Sequence, residues 1–352
     1  MTYLISGIQQ VGIGVPQVHD AFNWYRKIFG MDIPVFEEAA EANQMLPYTG
    51  GMPHQRHAIL AINLAGGGGF EIWQYTSRTP VAPLQMPLLG DLGIYICKLK
   101  SKNVRENHRA LKGGGVKLLS DVMRDPAGKE HFYLQDHLGN IFEVIEFDNW
   151  FAEGTHYTGG PCGAVLGVTN MSASISFYKE ILGYDEIIYD QENNFSDFSH
   201  LPGGDRKFRR VLLGHSKMRE GSFSRLLGKS VIELVELKND TPKKIFEGRF
   251  WGDLGFIHLC FDIKNMSALK EKCAQFGKPF TIDGGSDFEM GEAAGHFCYT
   301  EDPDGTLIEF VETFKLPIVK KMNWYLDLRK RNPSSTLPDW MLKSMRMNRV
   351  SS

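Results

Sequence analysis

The sequence predicts an α+β chain of four βαβββ modules in two tandem halves, followed by a basic tail, and three repeats carry that prediction. Gly90-Asp91-Leu92-Gly93 recurs as Gly252-Asp253-Leu254-Gly255, and each copy opens an apolar strand. Asp136-His137-Leu138-Gly139-Asn140-Ile141-Phe142-Glu143 recurs as Asp302-Pro303-Asp304-Gly305-Thr306-Leu307-Ile308-Glu309. Trp24-Tyr25-Arg26-Lys27-Ile28-Phe29-Gly30 is answered by Phe177-Tyr178-Lys179-Glu180-Ile181-Leu182-Gly183. Self-similarity at this scale reads as internal duplication.

The elements follow in order. A strand over 7–15 precedes a helix over 18–29, where Phe22, Tyr25, Ile28 and Phe29 fall at helical spacing and Gly30 closes the helix. Strands then run to Phe70–Tyr75. The second module has a strand over 92–99, a helix over 104–111, a glycine turn at 113–115 and strands ending at 141–147. The third has a strand over 163–168, a helix over 171–182 and a last strand over 231–237. The fourth has a strand over 256–263, a helix over 266–276 and strands through 306–313. Residues 148–162, with Gly154, Gly159, Gly160 and Pro161, read as a linker. The expected divisions are a first half over 1–153, a second half over 154–315 and a tail over 316–352.

Composition narrows the function. A chain of 352 residues can bury two substantial cores, and 42% hydrophobic with 23% charged residues is ordinary for a globular protein. The net charge of −3 speaks against nucleic acid as a partner. Residues 316–352 carry eight Lys/Arg and two Asp, so the tail is net +6 and the first 315 residues are net −9. A basic, aromatic tail can dock on an acidic surface or fold back over this acidic body. Pro333 and Pro338 break any long amphipathic helix and favour folding back. No leader pattern opens the chain, and no apolar run is long enough to span a membrane. Five scattered cysteines without a CxxC pair read as reduced thiols in a cytoplasmic protein. A small-molecule substrate and a monomer or homodimer are expected.

The module order and its punctuation resemble the vicinal oxygen chelate superfamily, which includes glyoxalase I, extradiol dioxygenases, methylmalonyl-CoA epimerases and bleomycin-resistance proteins. The matching residues are Val11-Gly12-Ile13-Gly14-Val15 before Trp24-Tyr25 and Gly30, and Asp302-Pro303-Asp304-Gly305 before Ile308-Glu309. The resemblance spans about residues 5–315. It implies curved mixed sheets forming cup-like barrels, with metal ligands on the first and last strand of each module. Those positions are Gln10, Ile96, Gly163 and His258 on the first strands, and Glu71, Glu143, Glu233 and Glu309 on the last.

Duplicated glyoxalases pair the first module with the fourth and the second with the third. That pairing implies one live site, Gln10, Glu71, His258 and Glu309, for one divalent ion (Zn, Ni, Co, Mn or Fe). The other set, Ile96, Glu143, Gly163 and Glu233, has no nitrogen ligand and is expected to be dead. By resemblance Glu309 is the catalytic base, with Glu71 serving the opposite face. Strand alternation agrees: Val11, Ile13 and Val15 form one face, and Gln10 shares the other with Gly12 and Gly14. A structural reading competes, because a glutamate closes all four modules and a lone strand histidine is often a core residue.

The expected activity is that of a metal-dependent lyase, isomerase or epimerase on a substrate with vicinal oxygens. Glutathione-using enzymes carry Arg, Asn and Arg where this chain has Gly14, Tyr75 and Leu254, so glutathione dependence is not expected. Trp73 and Tyr75 suggest an aromatic ligand or simple core packing. A metal-free binding protein is the alternative. A further alternative is an Fe(II) extradiol-type dioxygenase, which Gly163 argues against. His54 and His57 read as surface or loop positions in preference to cup lining, and Arg206–Arg210 as a solvated basic face in preference to a grip on an anionic substrate. The segment 216–228 has no counterpart in the first module and reads as either a lid or a packed insertion.

Overall fold

The computed structural model describes residues 2–285, 288–290, 293–319 and 324–350. The first module is β1 (Leu4–Gly14), α1 (Val18–Phe29), β2 (Ile33–Glu41), β3 (Gln55–Ile62) and β4 (Gly69–Tyr75). The second is β5 (Gly93–Ser101), α2 (Val104–Gly113), the short β6 (Lys117–Leu118) and β7 (Met123–Arg124), β8 (Glu130–Gln135) and β9 (Ile141–Glu146). The third is β10 (Thr158–Val168), α3 (Met171–Leu182), β11 (Glu186–Asn193), β12 (Phe208–Gly214), a one-turn α4 (Ser224–Leu227) and β13 (Val231–Leu237). The fourth is β14 (Gly255–Lys264), α5 (Met266–Gln275), β15 (Ile282–Asp283), β16 (Phe288–Met290), β17 (Ala293–Glu301) and β18 (Leu307–Val319). The tail adds β19 (Trp324–Asp327) and α6 (Asp339–Ser344). The strand β10 starts at Thr158, inside the segment read as linker.

The modules pair across the halves. One sheet runs β15-β17-β18-β14-β1-β4-β3-β2, joining the fourth module to the first through an antiparallel β1–β14 contact. The other runs β11-β12-β13-β10-β5-β9-β8-β6, joining the third to the second. Both helices of matching rank end alike: Gly30 and Gly183 adopt φ of 69° and 73°, the left-handed region that a glycine enters without steric cost.

The repeated motifs brace one module against the next. The Tyr25 hydroxyl donates to Asp136 Oδ2 at 2.6 Å, and Tyr178 donates to Asp302 Oδ2 at 3.0 Å. Each aspartate also caps its own turn: Asp136 Oδ1 accepts from the backbone N–H of Leu138 and Asn140, and Asp302 Oδ1 from those of Asp304 and Thr306. Asp91 and Asp253 likewise accept from distant backbone, Lys243 N and Val81 N. These polar repeats therefore hold the architecture together.

Side chains alternate as the pattern demands. Val11, Ile13, Phe70, Ile72, Leu259, Phe261, Ile308 and Phe310 join one core shared with the helices. Trp73, Tyr75, Cys260 and Tyr299 point to the other face of the same sheet and form a second cluster, which Ile257 joins where the β1–β14 ladder bulges. The insertion over 216–228 is packed, not free: Leu226 and Leu227 join Phe151, Leu328, Leu337 and Leu342, so the tail folds back onto it. Leu337 N–H donates to Ser222 O at 2.8 Å, and Arg349 pairs with Asp32 at 3.0 Å. Among the described residues no helix is long and apolar enough to cross a membrane, and all five cysteines are free and buried.

Candidate metal centre

Strand register decides which side chains can meet. The parallel pairs β1–β4, β5–β9, β10–β13 and β14–β18 set Gly12 beside Glu71, Lys98 beside Glu143, Val165 beside Glu233, and Cys260 beside Glu309. Gln10, Ile96, Gly163 and His258 each stand two residues earlier, on the same face, so the four module positions are equivalent.

In the first sheet Gln10, Glu71, His258 and Glu309 come together. His258 Nε2 lies 3.1 Å from Glu309 Oε2 and 3.3 Å from Glu71 Oε2. Gln10 Nε2 lies 3.3 Å from Glu71 Oε2 and 3.4 Å from Glu309 Oε2. Adjacent ligands on an ion with bonds of about 2.1 Å stand about 3.0 Å apart in an octahedron and about 3.4 Å in a tetrahedron. The histidine–carboxylate spacings fall in that interval; the Gln10 amide nitrogen donates to both carboxylates, and the amide turned over presents Oε1 in its place. Gln10 Oε1 and His258 Nε2 are buried without a hydrogen-bond partner among the described residues; the histidine nitrogen sits near both carboxylates but is not aimed along a hydrogen bond to either. An orphaned imidazole nitrogen beside two carboxylates, with a buried amide against both, fits a divalent cation.

Supporting contacts set the geometry. Tyr299, opposite Glu309 in the β17–β18 ladder, places its hydroxyl 3.3 Å from His258 Nδ1. With Nδ1–H donating there, Nε2 turns a lone pair to the cluster. Gly12 makes room for the ring: a Cβ at that position would lie within 2.7 Å of both imidazole nitrogens. Gly14 likewise admits a close neighbour, the Asp253 carbonyl. Burial opposes charge on His258, but Glu309 and Glu71 outweigh it and push the imidazole up to about 10 when no ion is bound. Burial alone would raise the Glu309 carboxyl, yet His258 holds it below the usual range.

A cavity of about 90 Å³ opens on the cluster. Phe36, Trp73, Trp251, Phe297 and Tyr299 line it with Arg56, whose guanidinium is 2.6 Å from Glu38. Trp73 is both cavity wall and core; Tyr75 is buried and donates to the Trp251 carbonyl. A larger cavity of about 260 Å³ lies against Ile94, Ile245 and Phe256, with Arg249 as its charged lining residue and no histidine or carboxylate. Size alone therefore does not locate the chemistry. His57 bonds Glu37 at 3.0 Å on the outside of this sheet.

The second sheet has the same frame and the opposite contents. Ile96 is core, and Lys98 reaches both Glu143 and Glu233, lying 2.6 Å from the latter. Arg210 also binds Glu233, and its NH1 is 2.6 Å from Asp197. His131 Nδ1 sits 2.8 Å from Glu143 Oε1, and Tyr189 donates to Glu233 at 2.8 Å. Arg210 is fully buried, which corrects the reading of Arg206–Arg210 as a uniformly solvated face. The alternation of β12 turns Arg210 inward, while Arg209 meets Asp190 outside. Lys98, His131 and Asp197 escaped notice in the sequence because no repeat marks them.

A family model described as the glyoxalase/bleomycin resistance protein/dioxygenase superfamily matches residues 7–144 and 156–310. The chain belongs to this superfamily. Among solved structures, a variant of glyoxalase I from Zea mays superposes with a TM-score of 0.53 at 14% identity, covering 87% of this chain and 92% of that one. A putative dioxygenase from Bacillus subtilis superposes with a TM-score of 0.53 at 15% identity, covering 88% and 86%. Identities this low speak for the superfamily fold alone. No curated protein matches the chain.

Proposed function

We propose that this superfamily member is a metal-dependent lyase, isomerase or epimerase of the glyoxalase type, with one divalent ion on Gln10, Glu71, His258 and Glu309. The observation that supports it is the convergence of the orphaned His258 Nε2 on two carboxylates at ligand-to-ligand spacings, with the Gln10 amide against both of them. A bound ion supplies Lewis-acid polarisation of two neighbouring substrate oxygens. Gln10 and His258 anchor it. Glu309, buried and kept ionised beside His258, would take a proton from one substrate carbon and return it to the adjacent carbon. Glu71, more open at 14% exposure, serves the opposite face.

The cavity favours a compact, aromatic or uncharged substrate. Its walls are aromatic, its rim carries Glu38 and Glu41, and the charge of Arg56 is engaged by Glu38. Among the described residues that line the cavity, a carboxylate-rich thiol such as glutathione has no free cation to meet. The five reduced cysteines support a cytoplasmic setting.

One observation favours a second reading, a metal-free binding protein: as an imidazolium, His258 balances both carboxylates without an ion. Elemental analysis of untagged protein beside His258→Ala and Glu309→Gln separates the two. One ion at the four-residue centre, lost in both variants, is expected. No ion there after adding Zn, Ni, Co, Mn or Fe(II) would leave the binding protein as the better account.

A further inference from the structure

We propose that Asp283, His296 and Cys298 form a second divalent-cation site, of the zinc class, on the outer face of the first sheet. It lies at the sheet's edge, where β15 pairs with β17 over two residues only. Asp283 is directly opposite Cys298 in that ladder, and His296 lies two residues before Cys298 on the same face of β17. Phe297 and Tyr299 point the other way, into the cup. The two centres thus occupy opposite faces of one strand and share no ligand.

The donor atoms form a triangle. Cys298 Sγ is 3.3 Å from His296 Nε2 and 3.5 Å from Asp283 Oδ1, and Nε2 is 2.6 Å from Oδ1. A thiol–imidazole–carboxylate relay would use both ring nitrogens in series. Here one nitrogen faces both partners, so the three donor atoms close a triangle rather than a chain. A tetrahedral zinc ion sets sulfur about 3.5 Å from nitrogen and oxygen ligands, which the two sulfur distances approach. The imidazole–carboxylate edge is at hydrogen-bond length and opens by about 0.7 Å as the ion replaces the shared proton.

The surroundings suit a bound ion. Asp283 Oδ1 accepts from Gly285 N–H at 3.2 Å, and Lys270 holds Oδ2 at 2.7 Å, which orients Oδ1 toward the triangle. Cys298 is buried, whereas the side chains of His296 and Asp283 are 17% and 34% exposed, leaving an entry path and a fourth position for water. A thiolate selects zinc over magnesium or calcium. Binding releases the thiol proton to solvent and staples the two-residue β15 to its neighbour.

Cobalt(II) titration of the metal-free protein tests this, because the four ligands of the first centre are oxygen and nitrogen while this one offers sulfur, and Cys298→Ser separates its thiolate from Cys260 beside Glu309. The expected result is a near-ultraviolet thiolate-to-cobalt charge-transfer band that saturates by two equivalents, once both centres are filled, and is bleached by zinc. It persists in Glu309→Gln and vanishes in Cys298→Ser. Should Cys298→Ser fail to fold, Asp283→Asn, changed at a half-exposed position, decides: the band's midpoint should shift at least about tenfold to higher cobalt, a ligand's share of affinity. No band in the parent protein, or a band surviving in Cys298→Ser or unshifted in Asp283→Asn, overturns the site. A failure of the first centre alone leaves the band intact.

Discussion

An alanine at position 12 would drive its Cβ against the His258 ring, because Gly12 and His258 occupy facing positions of β1 and β14. Gly12→Ala should therefore weaken ion binding at the first centre by about tenfold or more, about 1.4 kcal/mol, through a displaced ligand. Calorimetric titration with zinc measures it, and an unchanged dissociation constant would refute the role given to Gly12. The same histidine makes ion binding pH-dependent. Its imidazole rises from 6.5 to about 10 between its carboxylates, so in ion-free protein its charge contributes stability fully below about pH 6.5, lost as pH rises through about 10. An ion must displace that proton. The rise in melting temperature on adding zinc should consequently be larger at about pH 9 than at about pH 6.5. A gain independent of pH over that window would show that His258 holds no exchangeable proton at the centre.

Two equivalent strand positions separate the cup proposed to take an ion from the other. Where β1 has Gly12 and leaves room for an imidazole, β5 has Lys98 and brings its own cation to Glu143 and Glu233. The burial of Lys98 opposes its charge, but the two glutamates outweigh this and hold the ammonium well above its ordinary value. Lys98→Met leaves two buried carboxylates facing each other and should cost about 3–5 kcal/mol of unfolding free energy. Urea denaturation reads this, with Lys98→Met/Glu143→Gln expected to recover part of the loss. The tyrosine braces belong to the same scale. Tyr25→Phe and Tyr178→Phe each remove a buried hydrogen bond to an aspartate and should cost about 1.5–3 kcal/mol. A change below about 0.5 kcal/mol in both would show that the repeated helix and turn motifs are not coupled.

At the scale of the molecule, the two halves are interleaved. Each sheet draws one module from each half, so neither half completes a cup without the other. Buried Lys100 reinforces this by donating to Gly66 O at 2.6 Å and Leu227 O at 3.2 Å, tying the first half to the insertion of the second. The tail joins the same knot through Leu328, Leu337 and Leu342. Leu337→Ala should destabilise the whole chain by about 2–4 kcal/mol as a buried leucine is truncated. A cooperative shift of the entire melt is expected; an unchanged melt would mean that the tail is an accessory.

The sequence by itself determined the module order, the helix ends at Gly30 and Gly183, and the alternation that puts Val11, Leu259 and Ile308 under the helices, because these follow from local periodicity and backbone sterics. The four equivalent positions around Gln10, Glu71, His258 and Glu309 were legible for the same reason, since duplication preserves register. What surrounds them was decided by the tertiary structure alone. Tyr299 and Trp251 join the first centre, Lys98, His131 and Arg210 fill the second cup, and Asp283 meets His296 and Cys298, each by packing between strands distant along the chain. Periodicity says which face a residue takes. Which charge stands opposite depends on how the sheets pair, and no single strand encodes that.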